Sequence, residues 1–177
     1  LLCGSCSHEE YECDVCVYGG TSSGVIAAYA VAKQGKKVLL VEPGYRLGGL
    51  SSGGLGMTDI GNKQVVKGLS LDFYRRVGAH YGALEQWIFE PSVAESIFKG
   101  YIERGQVEVL YGHRILEAAK QGTQLTSIKL ENVEKFCGRA NVKAKVYIDC
   151  SYEGDLMARS GVSYTVGREP NSQYNEN

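Results

Sequence analysis

Six consecutive residues, Gly19-Gly20-Thr21-Ser22-Ser23-Gly24, and one carboxylate, Glu42, have the types and spacing that suit the phosphates and sugar of a nucleotide. Pyrophosphate is negatively charged. A helix start offers unpaired N–H groups and the positive end of its dipole, provided no side chain blocks the approach. Gly19 makes the turn, and Gly24 lets the helix pack closely on the preceding strand. Thr21 stands at the middle glycine of GxGxxG, so Gly20 or the Thr21 backbone must lie beside the phosphates. Glu42 follows Gly24 by 18 residues. There a carboxylate accepts hydrogen bonds from the ribose hydroxyls and repels a 2′-phosphate, which points to an adenine dinucleotide other than NADP.

These residues need a strand, a helix and a second strand to position them. Residues 11–18 read as an apolar strand, and Ser22 or Ser23 can cap the helix that follows, which runs to about residue 34 and stops at Gly35. Residues 37–42 are Val/Leu-rich without alternation, as for a strand covered on both faces. Residues 43–68 form a long glycine-rich connection of the kind that covers a ligand. Helices are expected over about 69–81 and 92–104. In the second, Val93, Ile97 and Tyr101 share a face with Ala94, Phe98 and Ile102. Residues 107–111 read as a third strand of the parallel sheet.

From residue 113 the pattern becomes alternating, over 113–119, 125–131 and 143–149, and predicts an antiparallel meander inserted into the sheet. A short helix over 153–160 stops at Gly161. The expected class is α/β, a Rossmann-like three-layer parallel sheet with an inserted β-meander, the FAD/NAD(P)-binding domain type.

Glycine supplies 23 of the 177 residues, about 13% against a usual level of about 7%, and eleven of them fall within residues 19–61. Such clustering marks backbone that turns tightly or approaches something closely. Lys plus Arg is 19 and Asp plus Glu is 20, a net charge of -1 that lacks the positive field for nucleic acid. The longest apolar run, residues 25–32, is far short of the roughly 20 residues of a membrane span.

Cys3, Cys6, Cys13 and Cys16 form two CxxC pairs, the spacing of a zinc site. Three-residue separation in a strand should point Cys13 and Cys16 to opposite faces, so Cys16, like Cys150, is read as a small buried hydrophobe and no metal is assigned. Leu1-Leu-Cys-Gly-Ser-Cys6 resembles the end of a lipoprotein signal with Cys6 as the lipidated residue. That reading gives a periplasmic or lipid-anchored protein, and the alternative is a cytoplasmic one. His80, His113 and Arg75 are candidate proton-handling groups, each more simply read as a surface polar residue, and no catalytic residue is assigned.

Three stretches, Asp14-Val-Cys-Val-Tyr-Gly-Gly-Thr-Ser-Ser-Gly24, Val38-Leu-Leu-Val-Glu-Pro43 and Arg46-Leu-Gly-Gly-Leu-Ser-Ser-Gly-Gly-Leu-Gly-Met-Thr-Asp59, resemble the N-terminal part of bacterial FAD-dependent oxidoreductases with a glutathione-reductase-like FAD domain. The resemblance continues in Trp87-Ile-Phe-Glu-Pro91, Val107-Glu-Val-Leu-Tyr-Gly-His113 and Ile148-Asp-Cys-Ser-Tyr-Glu-Gly-Asp-Leu156. It implies FAD at the site, held by Gly19, Gly20, Thr21, Ser23 and Gly24 at the pyrophosphate and by Glu42 and Pro43 near the ribose. Arg46, Gly48 and Gly49 would meet the next turn of the cofactor, and Ser52 and Gly53 would lie towards the flavin. Ile115 matches a position that contacts adenine through its backbone. Asp149 and the turn of Glu153, Gly154 and Asp155 match a second flavin-associated motif.

The resemblance also implies the organisation. Residues 1–11 are a flexible lead, 12–169 an FAD-binding domain incomplete at its C-terminal end, and 170–177 a polar tail. Family chains continue beyond the equivalent of Gly167, so the rest of the same protein or a separate chain would complete the site for a small-molecule substrate. The reaction implied is hydride transfer to or from flavin. Two rivals remain open: a non-catalytic nucleotide-binding module, and an NAD-dependent dehydrogenase using the same loop and Glu42.

Overall fold

The computed structural model describes residues 8–135 and 137–176. Its strands are β1 (His8–Tyr18), β2 (Val38–Glu42), β3 (Glu108–Tyr111), β4 (His113–Gln121), β5 (Gln124–Asn132) and β6 (Arg139–Asp149). They make one sheet in the order β3-β2-β1-β6-β5-β4. β1 pairs in parallel with β2 and β6, and β3 extends the parallel part beyond β2. β4, β5 and β6 form the antiparallel part.

The inserted meander thus shares its last strand with the parallel sheet. β6 begins at Arg139, earlier than its alternation suggested, because Ala140 and Val142 are buried opposite Leu130 and Ile128. That early start gives residues 8–11 a partner: His8 stands beside Arg139 and Tyr11 beside Val142. The expected flexible lead is corrected there to paired strand.

Helices α1 (Ser22–Ala32), α2 (Leu50–Gly53), α3 (Gly68–His80), α4 (Pro91–Gly105) and α5 (Asp155–Arg159) complete the fold, with 3-10 turns at Lys63–Val65 and, in the exposed tail, Asn171–Gln173. Val15, Val17, Val38 and Leu40 face α1, α3 and α4, and pack with Val25, Ala28, Phe73 and Phe98. Cys16, Tyr18, Leu39 and Val41 face the meander, and pack with Ile128, Leu130 and Val142. Both faces of β2 are covered, which is why it carries no polar alternation.

Cys13 departs from expectation. The amides of Asp14 and Val15 both donate to the Lys37 carbonyl, at 2.9 and 3.2 Å, and this irregularity shifts the strand by one residue. Cys13 therefore shares the meander face with Cys16 rather than opposing it. Burial pushes both thiols up. Cys3 and Cys6, with the lipoprotein-like pattern, lie outside the described residues. Among the described residues no helix is long and apolar enough to cross a membrane.

Candidate dinucleotide site

The glycine loop follows β1 directly. Gly19 has φ +98°, a conformation L side chains rarely adopt, and a Cβ there would stand 2.7 Å from the Ser151 nitrogen. A Cβ on Gly24 would stand 1.9 Å from the Gly19 carbonyl oxygen, so only glycine lets α1 start this close to the strand. The cap of α1 is Thr21, not Ser22 or Ser23. Its hydroxyl oxygen accepts from the Gly24 N–H at 3.2 Å and donates to the Cys150 carbonyl at 2.8 Å. This ties the loop to the segment after β6.

Glu42 ends β2 beside the loop. One carboxylate oxygen accepts from the Gly20 N–H at 2.6 Å and the other from the Gly44 N–H at 2.7 Å. A carboxylate has roughly four lone-pair directions, so both oxygens retain acceptor capacity for ribose hydroxyls. Gly19, Thr21, Glu42, Pro43, Arg46 and Gly49 wall a cavity of about 250 Å³, together with Ser151, Tyr152 and Glu153. Arg46 is the cation of this cavity, and it is paired with Glu95 of α4 at 2.7 Å.

The other expected positions lie around this group rather than in it. Gly48, at φ +102°, makes room for the Phe98 ring. Ser52 is buried and donates to the Leu47 carbonyl, closing the turn into α2. Ser23 faces the Thr21 hydroxyl at 2.9 Å and lines a second cavity of about 500 Å³, whose walls include Ile26, Phe73, Tyr74 and Phe98. Gly53 is exposed, with nothing within 4 Å of where a Cβ would be.

Asp155 opens α5, and its N–H donates to the Ser151 hydroxyl at 3.1 Å. Asp149 serves the same turn. Its carboxylate accepts from the amides of Ser151 and Met157, at 2.9 and 2.8 Å.

Ile115 is buried, and its N–H donates to the Tyr18 hydroxyl at 3.1 Å. Tyr18 is fully buried, and burial pushes its phenol up to about 12, so it stays protonated at neutral pH. His113 is corrected from surface to interior: it is 7% exposed, with Nδ1 2.7 Å from the Tyr111 carbonyl. His80 is exposed at the end of α3, and Arg75 pairs with Glu85 at 3.5 Å.

Sequence comparison decides the family. The profile described as FAD dependent oxidoreductase matches residues 14–177. The chain belongs to this family. No curated protein matches its sequence.

Solved structures agree in fold. A geranylgeranyl bacteriochlorophyll reductase-like protein from Thermoplasma acidophilum is 17% identical with a TM-score of 0.65, covering 90% of this chain and 44% of that one. A flavoprotein/dehydrogenase from Cytophaga hutchinsonii is 19% identical with a TM-score of 0.64, covering 89% and 44%. L-proline dehydrogenase from P. horikoshii is 12% identical with a TM-score of 0.65, covering 91% and 58%. The chain therefore spans 44% to 58% of the length of these three structures.

The cofactor of this FAD dependent oxidoreductase is FAD, and the residues present fit its phosphate and ribose part. The first amides of α1 lack intrahelical acceptors, as at every helix start. Around them stand a guanidinium and a carboxylate, the charges that a pyrophosphate and a ribose require. A cavity of about 250 Å³ holds only part of a dinucleotide, since sites for whole ligands of drug size run from roughly 300 to 1,000 Å³.

Sequence reasoning missed three participants. Tyr152 packs on bare Gly49, and its hydroxyl accepts from the Leu50 N–H at 2.8 Å. A tyrosine in a polar turn reads as solvated, and only Gly49, at φ +54°, hints that something packs there. Tyr18 and Glu95 lie on elements whose pairing the sequence does not reveal.

Proposed function

We propose that this chain is the cofactor-holding portion of a flavoenzyme of the glutathione-reductase-like subtype, similar to bacterial members, that oxidises or reduces a small organic substrate. FAD supplies hydride transfer at its flavin N5 when bound. The protein supplies orientation and electrostatics. Glycine-loop and α1 amides hold the pyrophosphate, Glu42 orients the ribose, and Arg46 adds positive charge beside the phosphates. The observation that carries this reading is the pairing of Glu42 with the Gly20 N–H at 2.6 Å, which sets a ribose acceptor and a phosphate cradle side by side.

A further segment, from the same polypeptide or a separate chain, completes the site in this reading. β6 pairs with β1 along its length, but its ladder to β5 ends at Val142, so residues 143–149 present an open edge. Natural sheets rarely leave such an edge uncovered. Val146, Val162, Tyr164 and Val166, all more than half exposed, lie on or after that strand. A run of exposed apolar side chains beside an open edge supports the same reading.

The test is the visible absorption spectrum of the complete gene product, purified without added cofactor, before and after denaturation. About one equivalent of released FAD is expected, given one cradle per chain. A colourless protein that also ignores added FAD would refute the proposal and leave a nucleotide-binding module.

A further inference from the structure

We propose that Glu95, on α4, is a positioning residue that fixes the Arg46 guanidinium at the phosphate side of the dinucleotide cavity. The proposal rests on the reading of that cavity given above. Arg46 walls the cavity with Gly19 and Thr21. Its Nε and Nη2 both donate to one Glu95 oxygen, at 3.1 and 2.7 Å, and Nη2 also donates to the Ser52 carbonyl at 3.1 Å. These contacts hold the guanidinium plane from two directions. Among the described residues Nη1 has no hydrogen-bond partner, which leaves one fork of the arginine for an incoming oxyanion.

Glu95 is suited to the task because it is itself fixed. Its side chain is 14% exposed, and its second oxygen holds Lys99 at 2.9 Å. Lys99 balances the carboxylate, so Arg46, Glu95 and Lys99 together carry one net positive charge. Arg46 lines the same cavity as Thr21, the N-cap of α1, where the helix dipole has the same sign. Arg46 is 61% exposed along its side chain, and without Glu95 only one carbonyl would restrain it. A free arginine pays rotamer entropy to meet a phosphate, whereas a held one does not.

The division of labour between the two carboxylates is then explicit. Glu42 faces the sugar, and Glu95 stands behind the cation that faces the phosphates. Glu95 lies 49 residues from Arg46 in sequence, so the coupling is visible only once α4 is packed against the glycine-rich turn.

Calorimetric titration of the full chain with ADP and with adenosine separates this role from a general structural one. The two probes share base and ribose and differ in the diphosphate. Glu95→Gln should weaken ADP binding about tenfold while leaving adenosine unchanged, because only the diphosphate meets Arg46. Arg46→Gln should give the same selective loss, and Glu95→Gln added to it should change nothing more. Arg46→Gln leaves Glu95 with its Lys99 partner, so it reads the effect even if Glu95→Gln unfolds the protein. Equal loss for both probes, or no loss for ADP, would overturn the positioning role. Wild-type protein that binds neither probe would overturn the cavity assignment itself.

Discussion

Two sets of glycines in this chain live in opposite surroundings. A Cβ on Gly19, Gly20 or Gly24 would come within 2.8 Å of the Ser151 nitrogen, the Glu42 carboxylate or the Gly19 carbonyl. On Gly53, Gly54 or Gly61 it would meet nothing within 4 Å. Their neighbours follow the same split. Leu47 is fully buried beside the first set, whereas Leu55 and Met57 are 62% and 71% exposed beside the second. The first set is closed by the chain's own backbone, and the second faces open space. On the proposed reading, the closed set is the phosphate and ribose end of the site, and the open set lies towards the flavin.

The largest effect is expected at Gly24. Gly24→Val should destabilise the fold by more than about 3 kcal/mol, because the clash is with backbone that cannot rotate away. Denaturant unfolding reads this, and an unchanged midpoint would mean that the loop is not a steric lock. A smaller effect is expected at Tyr18, which joins the closed end to the meander. Tyr18→Phe leaves the buried Ile115 N–H without its partner and should cost about 1–3 kcal/mol in the same assay. If stability is unchanged, that hydrogen bond does not hold the two layers. Smallest is Gly53→Ala, which should stay within about 0.5 kcal/mol of wild type or gain slightly, since α2 geometry suits alanine. A loss well beyond that range would show that the open end is packed after all.

Much of the fold was legible because it is local. The apolar run of β2, the glycine loop and the alternation after residue 113 each announce one element, and each stands within a few residues of its expected bounds. What escaped depends on distant pairing. The start of β1 at His8 requires the early start of β6, and the shared face of Cys13 and Cys16 requires a backbone irregularity against Lys37.

The site divides in the same way. Gly19, Thr21, Glu42, Pro43, Arg46 and Gly49 gather around one cavity as their motifs suggested, because a strand, a turn and a helix start place them. The bond from the Ile115 amide to Tyr18, a residue 97 positions away, carries no such local signal. Tyr152 and Glu95 act through tertiary contact, on Leu50 and Arg46, for which spacing carries no signal.

If Glu42 and the glycine loop hold the ribose and pyrophosphate of FAD, equilibrium FAD binding to the complete protein depends on Glu42. Flavin fluorescence titration of the wild type and of Glu42→Ala, both stripped of cofactor, should show affinity falling at least about tenfold in the variant, the loss of a charge-assisted hydrogen-bond acceptor. Equal dissociation constants for the two proteins would mean that Glu42 does not hold the ribose.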